Sequence, residues 1–241
     1  MNHYPVFLDL RGRSVLVVGG GRVARRKVAA LRRCGARVTV VAPEIDASLR
    51  RMPGVAARRR RFCAADVRGA AFVVGAADDP AVNALASRAA RARGIPVNVV
   101  DAPALCDAIL PAVLRRGPVT FAVSTGGAGP VLARRLREDL ARVYGPGLAR
   151  LARAVAALRR RTRTAAPTPA ARARLLRRIV GPDLLPTLRR KGADETFKFL
   201  VSGSWFLARQ PVHVRPRTRN QKPETRNRFP RRTLSAARRA R

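Results

Sequence analysis

An α/β fold with a parallel sheet at its N-terminal end is predicted by three observations. The apolar run Val15-Leu16-Val17-Val18 stops at Gly19-Gly20-Gly21 and turns into a basic helical pattern. Gly19, Gly21 and Ala24 stand at the spacing G-x-G-x-x-A, which belongs to dinucleotide-binding turns. From Val6 to about Val113, apolar runs alternate with amphipathic segments rich in alanine and arginine, as strands covered by helices do. Together they predict a Rossmann-type sheet over residues 1–113. A connecting segment (114–147), a small helical C-terminal domain (148–190) and a disordered basic tail (191–241) are expected to follow.

Strand 14–18 reads as buried on both faces, and the turn after it gives each small residue a task. Gly19 allows the tight turn, Gly21 lets the backbone approach a pyrophosphate, and Ala24 keeps helix and strand close. The first N–H groups of the helix supply an anion site. A glycine-rich turn in another α/β fold shows the same spacing. The second strand, 37–41, follows a helix 22–34 that ends near Cys34-Gly35, and this completes a βαβ unit. Further strands are expected at 71–76 and 96–100, with the less apolar Val55–Arg59 as a fifth. A helix over 80–93 ends at Gly94, where a C-cap belongs.

Strand 119–123 leads into the turn Ser124-Thr125-Gly126-Gly127-Ala128-Gly129, and Pro130 opens a helix to about Tyr144. Gly145-Pro146-Gly147 breaks that helix. Helices over 148–163 and 170–179 then flank Pro167-Thr168-Pro169. Beyond about Lys191 the pattern fails. Residues 209–241 are rich in Lys and Arg, hold the single acidic residue Glu224 and contain little aliphatic material, so they cannot offset the entropy of ordering.

The formal charge of +37 would by itself suggest nucleic acid, an anionic membrane surface or an acidic small molecule. The arginines recur among alanines throughout, however, which resembles a compositional bias as much as a binding patch. A nucleic-acid-binding arm in the tail is an alternative, although no interleaved aromatics are present to stack bases. A hydrophobic content of 47% excludes wholesale disorder. Cys34, Cys63 and Cys106 form neither a disulfide framework nor a C-x-x-C metal site and read as small core residues in a reducing compartment. His3 and His213, the only histidines, join no ligand cluster, so no resident metal is expected. No run is long enough to span a bilayer and Met1 to Pro5 begins no signal peptide, so a cytoplasmic location is expected.

Asp101 is the strongest candidate for chemistry. It stands where the apolar run Val97 to Val100 gives way to Ala102-Pro103, and open α/β sheets bind ligands beyond the carboxyl ends of their strands. A general base fits there, and so does a turn aspartate capping backbone N–H groups. Asp107 is a weaker candidate that reads as a cap or surface residue. Glycines 126, 127 and 129 before Pro130 form a second candidate anion site, or merely a tight strand-to-helix connection.

The segments Gly19 to Lys27, Val41-Ala42-Pro43-Glu44, Ala76-Ala77-Asp78-Asp79, Asn98-Val99-Val100-Asp101-Ala102-Pro103 and Ser124-Thr125-Gly126-Gly127 resemble those of precorrin-2 dehydrogenases. That family includes the N-terminal part of siroheme synthase, and the likeness covers roughly residues 1–180. It implies a Rossmann domain, a dimerisation segment (114–147) and a helical domain in a homodimer. It further implies NAD-dependent oxidation of precorrin-2 to sirohydrochlorin, with Fe²⁺ insertion in bifunctional members. Precorrin-2 would then come from a methyltransferase on another protein.

By the same resemblance, Arg22, Val23, Pro43 and Glu44 join Gly19 and Gly21 in contacting NAD. The alternatives are a solvated Arg22 and a Glu44 that only opens the next helix. Ala77 replaces the family's usual threonine, and Thr125 its usual serine. Asp101 becomes the general base for dehydrogenation and for chelation, with iron as substrate. Ser124, Thr125, Gly126 and Gly127 become a site for substrate carboxylates, flanked by Arg115, Arg116, Arg134 and Arg135. A non-enzymatic NAD-binding regulatory module is the remaining alternative.

Overall fold

Alternation along one strand organises the sheet. In Ser14–Val18 (β1), Val15 and Val17 enter one apolar cluster while Leu16 and Val18 enter another on the opposite face. The period of two and the burial of both faces explain why this strand carries no polar residue after Ser14. A computed structural model describes residues 3–165 and 168–181, together with Leu184, Pro186 and Leu188. The expected tail, 191–241, lies outside the described residues.

Arg22–Arg33 (α1) follows the glycine turn and buries Ala24 and Val28 against the first cluster, with Leu31 packed beside them. Arg37–Ala42 (β2) returns parallel to β1. The short helix Ala47–Arg50 (α2) was not expected from the sequence. Asp46 caps it by accepting from the Ser48 N–H at 2.7 Å, and its Leu49 is wholly buried in the first cluster. Val55–Arg59 (β3), the expected fifth strand, forms the sheet edge. Its four residues after Val55 are exposed, and the arginines there discourage edge pairing.

Phe72–Gly75 (β4) pairs with β1 on the side opposite β2. Pro80–Arg91 (α3) covers the second cluster with Ala86, Ala89 and Ala90, small residues that let helix and sheet approach. Val97–Val99 (β5) completes the parallel order β3-β2-β1-β4-β5. That order reverses direction between β1 and β4, which places a crevice at the carboxyl ends of the strands.

Ala112–Arg116 (β6) and Val119–Val123 (β7) form an antiparallel hairpin around Gly117-Pro118. Only β7 was expected, and the expected boundary at 113/114 falls inside β6. Arg115 and Arg116 hid the strand, yet both are used. Arg116 donates to the carbonyls of Tyr144 (2.8 Å) and Ala141 (3.3 Å), closing the C-terminal end of Pro130–Val143 (α4), and Arg115 reaches the Cys34 sulfur at 3.1 Å. Gly147–Ala165 (α5) and Pro169–Ile179 (α6) follow. A third cluster joins Leu148, Leu151, Leu184 and Leu188 to Phe121 and Tyr144, whose rings stack at 5.1 Å. Cys63 is exposed rather than a core residue, whereas Cys34 and Cys106 are partly buried. No helix among the described residues is long and apolar enough to cross a membrane.

Candidate dinucleotide and active site

The glycine turn is wedged between the loops after β2 and β4. Gly19 has φ of 119°, and a Cβ on it would collide with the Ala76 carbonyl. Gly20, to which the spacing assigns no task, is equally constrained, because a Cβ would strike the carbonyl of Glu44. Hydrogen bonds tie the turn to β2 and the loop after it: Gly19 N–H donates to the Val41 carbonyl at 3.0 Å, and Asp46 N–H donates to the Gly20 carbonyl at 2.9 Å. Gly21, in contrast, has nothing within 4 Å of its Cβ position and lies exposed at the start of α1. No side chain caps that helix, although Asp79 caps α3 through the Ala81 N–H at 2.8 Å. Open space at Gly21 and uncapped N–H groups beyond it fit a pyrophosphate. Arg22 and Glu44 are exposed beside this turn, Pro43 is exposed after β2, and Val23 is partly buried.

Asp101 stands just past β5 and is the one non-glycine residue with positive φ among those described, at 56°. Left-handed backbone is costly for most side chains but tolerated by aspartate, and such conformations collect at functional sites. The turn that carries it is pinned from several sides. The Cys106 sulfur lies 3.1 Å from both the N–H and the carbonyl of Val99, Ser87 donates to Leu105 at 2.8 Å, and Asn98 donates to Ala108 at 2.9 Å. Among the described residues the Asp101 carboxylate accepts no hydrogen bond. Asp107, by contrast, is exposed and held by Arg91 at 2.9 Å.

Asp101 and Val23 line one cavity of about 380 Å³ with Ala76, Ala77, Asp78 and Val100. The first turn of α1, which follows the glycine turn, and the candidate base thus face one cavity. Asn83, unremarked in the sequence, shapes its wall. This buried amide accepts from Ala77 N–H at 3.1 Å and donates to the Ala77 carbonyl at 2.8 Å, so the loop after β4 is fixed without the family's threonine hydroxyl. Lys27, one turn after Val23, is partly buried. Burial, reinforced by Arg26, pushes its pKa down, while Asp101 and Cys106 oppose that shift.

The second expected anion site stands apart, since none of Ser124, Thr125, Gly126 and Gly127 lines that cavity. Thr125 closes its loop by donating to the Gly129 carbonyl at 3.1 Å and accepting from the Gly129 N–H at 3.3 Å, and Ser124 accepts from Gly126 N–H at 3.2 Å. Gly126 and Gly127 both face open space at their Cβ positions. Arg134 and Arg135 are exposed on α4, while Arg115 and Arg116 are already engaged within the protein.

Fold and glycine turn together define a dinucleotide-binding α/β protein. Residues 6–112 match a family described as putative NAD(P)-binding, and residues 116–142 one described as sirohaem biosynthesis protein central. Siroheme synthase of Methylococcus capsulatus is 43% identical over 214 residues, which cover 87% of this chain and 45% of that protein. Siroheme synthase of Ectopseudomonas mendocina is 50% identical over 141 residues, covering 58% and 30% respectively. Among solved structures, "SirC, precorrin-2 dehydrogenase" superposes with a TM-score of 0.67 at 28% identity, over 83% of this chain and all of that one. The chain is thus similar to siroheme synthases and to a precorrin-2 dehydrogenase, and it carries the two regions described as putative NAD(P)-binding and sirohaem biosynthesis protein central. It spans less than half the length of the siroheme synthases it matches.

Proposed function

We propose that this chain oxidises precorrin-2 to sirohydrochlorin with NAD as hydride acceptor. The observation that carries the reading is the cavity shared by Val23, on the first turn of α1 after the glycine turn, and Asp101. Gly19, Gly21, Arg22 and Val23 hold the dinucleotide's phosphates and their surroundings, with the α1 N–H groups facing the anion. Pro43 and Glu44 take the adenosine end. Glu44 favours NAD over NADP, because an exposed carboxylate after β2 accepts from ribose hydroxyls and repels a 2′-phosphate.

When bound, the nicotinamide supplies an acceptor for two electrons and one hydrogen. Asp101 takes the accompanying proton, so two hydrogens leave precorrin-2 as hydride and H⁺. The braced turn from Val99 to Cys106 holds that carboxylate at the crevice. Ser124, Thr125, Gly126 and Gly127, with uncapped N–H groups at the start of α4, bind substrate carboxylates. Chelation extends the reading: Fe²⁺ enters as substrate, and Asp101 accepts protons from the pyrrole nitrogens that it replaces.

Residues 1–113 serve as the cofactor domain, 114–147 as a homodimer contact, 148–190 as a helical domain and 191–241 as an extension. Leu132, Leu136 and Val143 are exposed along one face of α4, which suits a second copy. The test is NADH formation from freshly made precorrin-2, followed by addition of Fe²⁺. One NADH per sirohydrochlorin is expected. NAD binding without turnover would leave only an NAD-binding module.

A further inference from the structure

Two acidic residues line the cavity at the loops after β4 and β5, and the proposed mechanism uses only Asp101. The second is Asp78. Strands β4 and β5 pair in parallel with Gly75 opposite Val99, and the Val100 N–H donates to the Gly75 carbonyl at 2.9 Å, so the two loops leave the sheet side by side. Both neighbours of Asp78 are committed to the fold. Ala77 gives its N–H and its carbonyl to the buried Asn83 amide, at 3.1 and 2.8 Å, and Asp79 caps α3 by accepting from the Ala81 N–H at 2.8 Å. Asp78 has no such task. Among the described residues its side chain makes no hydrogen bond or ion pair, and the residue is exposed where it lines the cavity.

The rest of the lining sets the chemistry that a ligand meets. Its other side chains are apolar except for Asn83, whose amide is already taken by Ala77, and none is cationic. An acid group turned into this cavity would bring like charges together in a space with little water, whereas an N–H donor would gain a charged acceptor there. The loop 124–127 and the exposed Arg134 and Arg135, which suit acid groups, line no part of it. We infer that Asp78 accepts a hydrogen bond from a pyrrole N–H of the tetrapyrrole, and so seats the macrocycle with its nitrogen-bearing centre in the cavity and its carboxylate rim outside. This assignment rests on the dehydrogenase reading above. It makes Asp78 a determinant of substrate orientation and of preference for the metal-free ring, with no part in proton or hydride transfer.

The experiment compares wild type, Asp78→Asn and Asp78→Ala in titrations with sirohydrochlorin, with its square-planar nickel(II) complex and with NAD, and in steady-state oxidation of precorrin-2. The nickel complex keeps the carboxylate rim but has no N–H to donate. Wild type is expected to bind the free base at least about tenfold tighter than the complex. Asp78→Ala should weaken free-base binding and raise KM for precorrin-2 by about tenfold, with no loss of affinity for the nickel complex or NAD and no change in melting temperature. Asp78→Asn, which keeps the size but not the charge, should fall between. Free-base affinity that is unchanged or higher in Asp78→Ala would overturn the proposal, and so would an equal loss for the nickel complex. A fall in NAD affinity would assign Asp78 to the cofactor and overturn it as well. Selective loss of free-base binding in the variant, without NADH formation by variant or wild type, would support Asp78 while refuting the dehydrogenase reading. A wild type that binds no sirohydrochlorin overturns both.

Discussion

At the residue scale, the three glycines of the turn divide their work unevenly. Gly19 and Gly20 are packed against the Ala76 and Glu44 backbone, so a side chain at either breaks the turn itself. Gly21 is open, and there the cost of a side chain falls on the ligand. Gly21→Asp is therefore expected to fold normally yet lose NAD binding by at least about two orders of magnitude, because its carboxylate would meet the pyrophosphate. Calorimetric titration with NAD checks this, and retained affinity in a folded variant would remove the assigned site. Asp101 is the complementary case. Its left-handed backbone is imposed by the bonds that Cys106, Ser87 and Asn98 make around it, while its carboxylate stays uncommitted.

At the element scale, the edge strand β3 is secured by one buried carboxylate. The Asp66 side chain is 3% exposed and receives Arg60 and Arg58 from the strand's end, together with the Cys63 N–H at 3.0 Å. The Arg60 guanidinium holds its carboxyl well below the usual carboxylate range, against the opposing effect of burial. A carboxyl with a depressed folded pKa stabilises the fold above its ordinary titration range, and this contribution is lost as pH falls through the folded value. Asp66→Asn should thus cost about 1–2 kcal/mol at neutral pH. The gap from wild type should narrow as pH falls below about 4. Urea denaturation across that range tests the sign; a gap that widens in acid contradicts it. Helix α4 offers a second test at this scale. Leu136→Glu puts a charge on the exposed apolar face and should convert a dimer to a folded monomer, read by light scattering. A wild type that is already monomeric would refute the role given to that face.

The same scale shows what the sequence could reveal. The central strands of the parallel sheet were legible because burial on both faces forces an unbroken apolar run, as in Val15 to Val18 and Phe72 to Val74. The helix ends were legible from Gly94 and Pro130. Strand β6 was not, because its arginines act as structural donors in places where composition suggests solvent. Helix α2 is too short for a periodic signal, although Asp46 two residues before Ser48 is a recognisable cap. Gly19, Gly21 and Asp101 could be singled out by spacing and position. Gly20 owes its importance to its contact with Glu44, distant in sequence, and Asn83 to its paired bonds with Ala77, six residues before it. A polar residue on a largely apolar helix face was the only sequence signal for Asn83.

At the scale of the whole molecule, the doubly covered sheet brings the start of α1, just after the glycine turn, and a braced carboxylate to one crevice. The high positive charge does not define this crevice, whose lining includes Asp78 and Asp101 and no arginine. In the proposed reaction Asp101 is the base in precorrin-2 oxidation. Replacement by asparagine keeps its size and its suitability for the left-handed turn but removes the proton acceptor. The most direct measurement is the initial rate of NADH formation from precorrin-2 at saturating NAD, for wild type and Asp101→Asn side by side. A rate about 10²- to 10⁴-fold lower is expected in the variant, with unchanged NAD affinity. An asparagine variant that turns over at nearly the wild-type rate would contradict it.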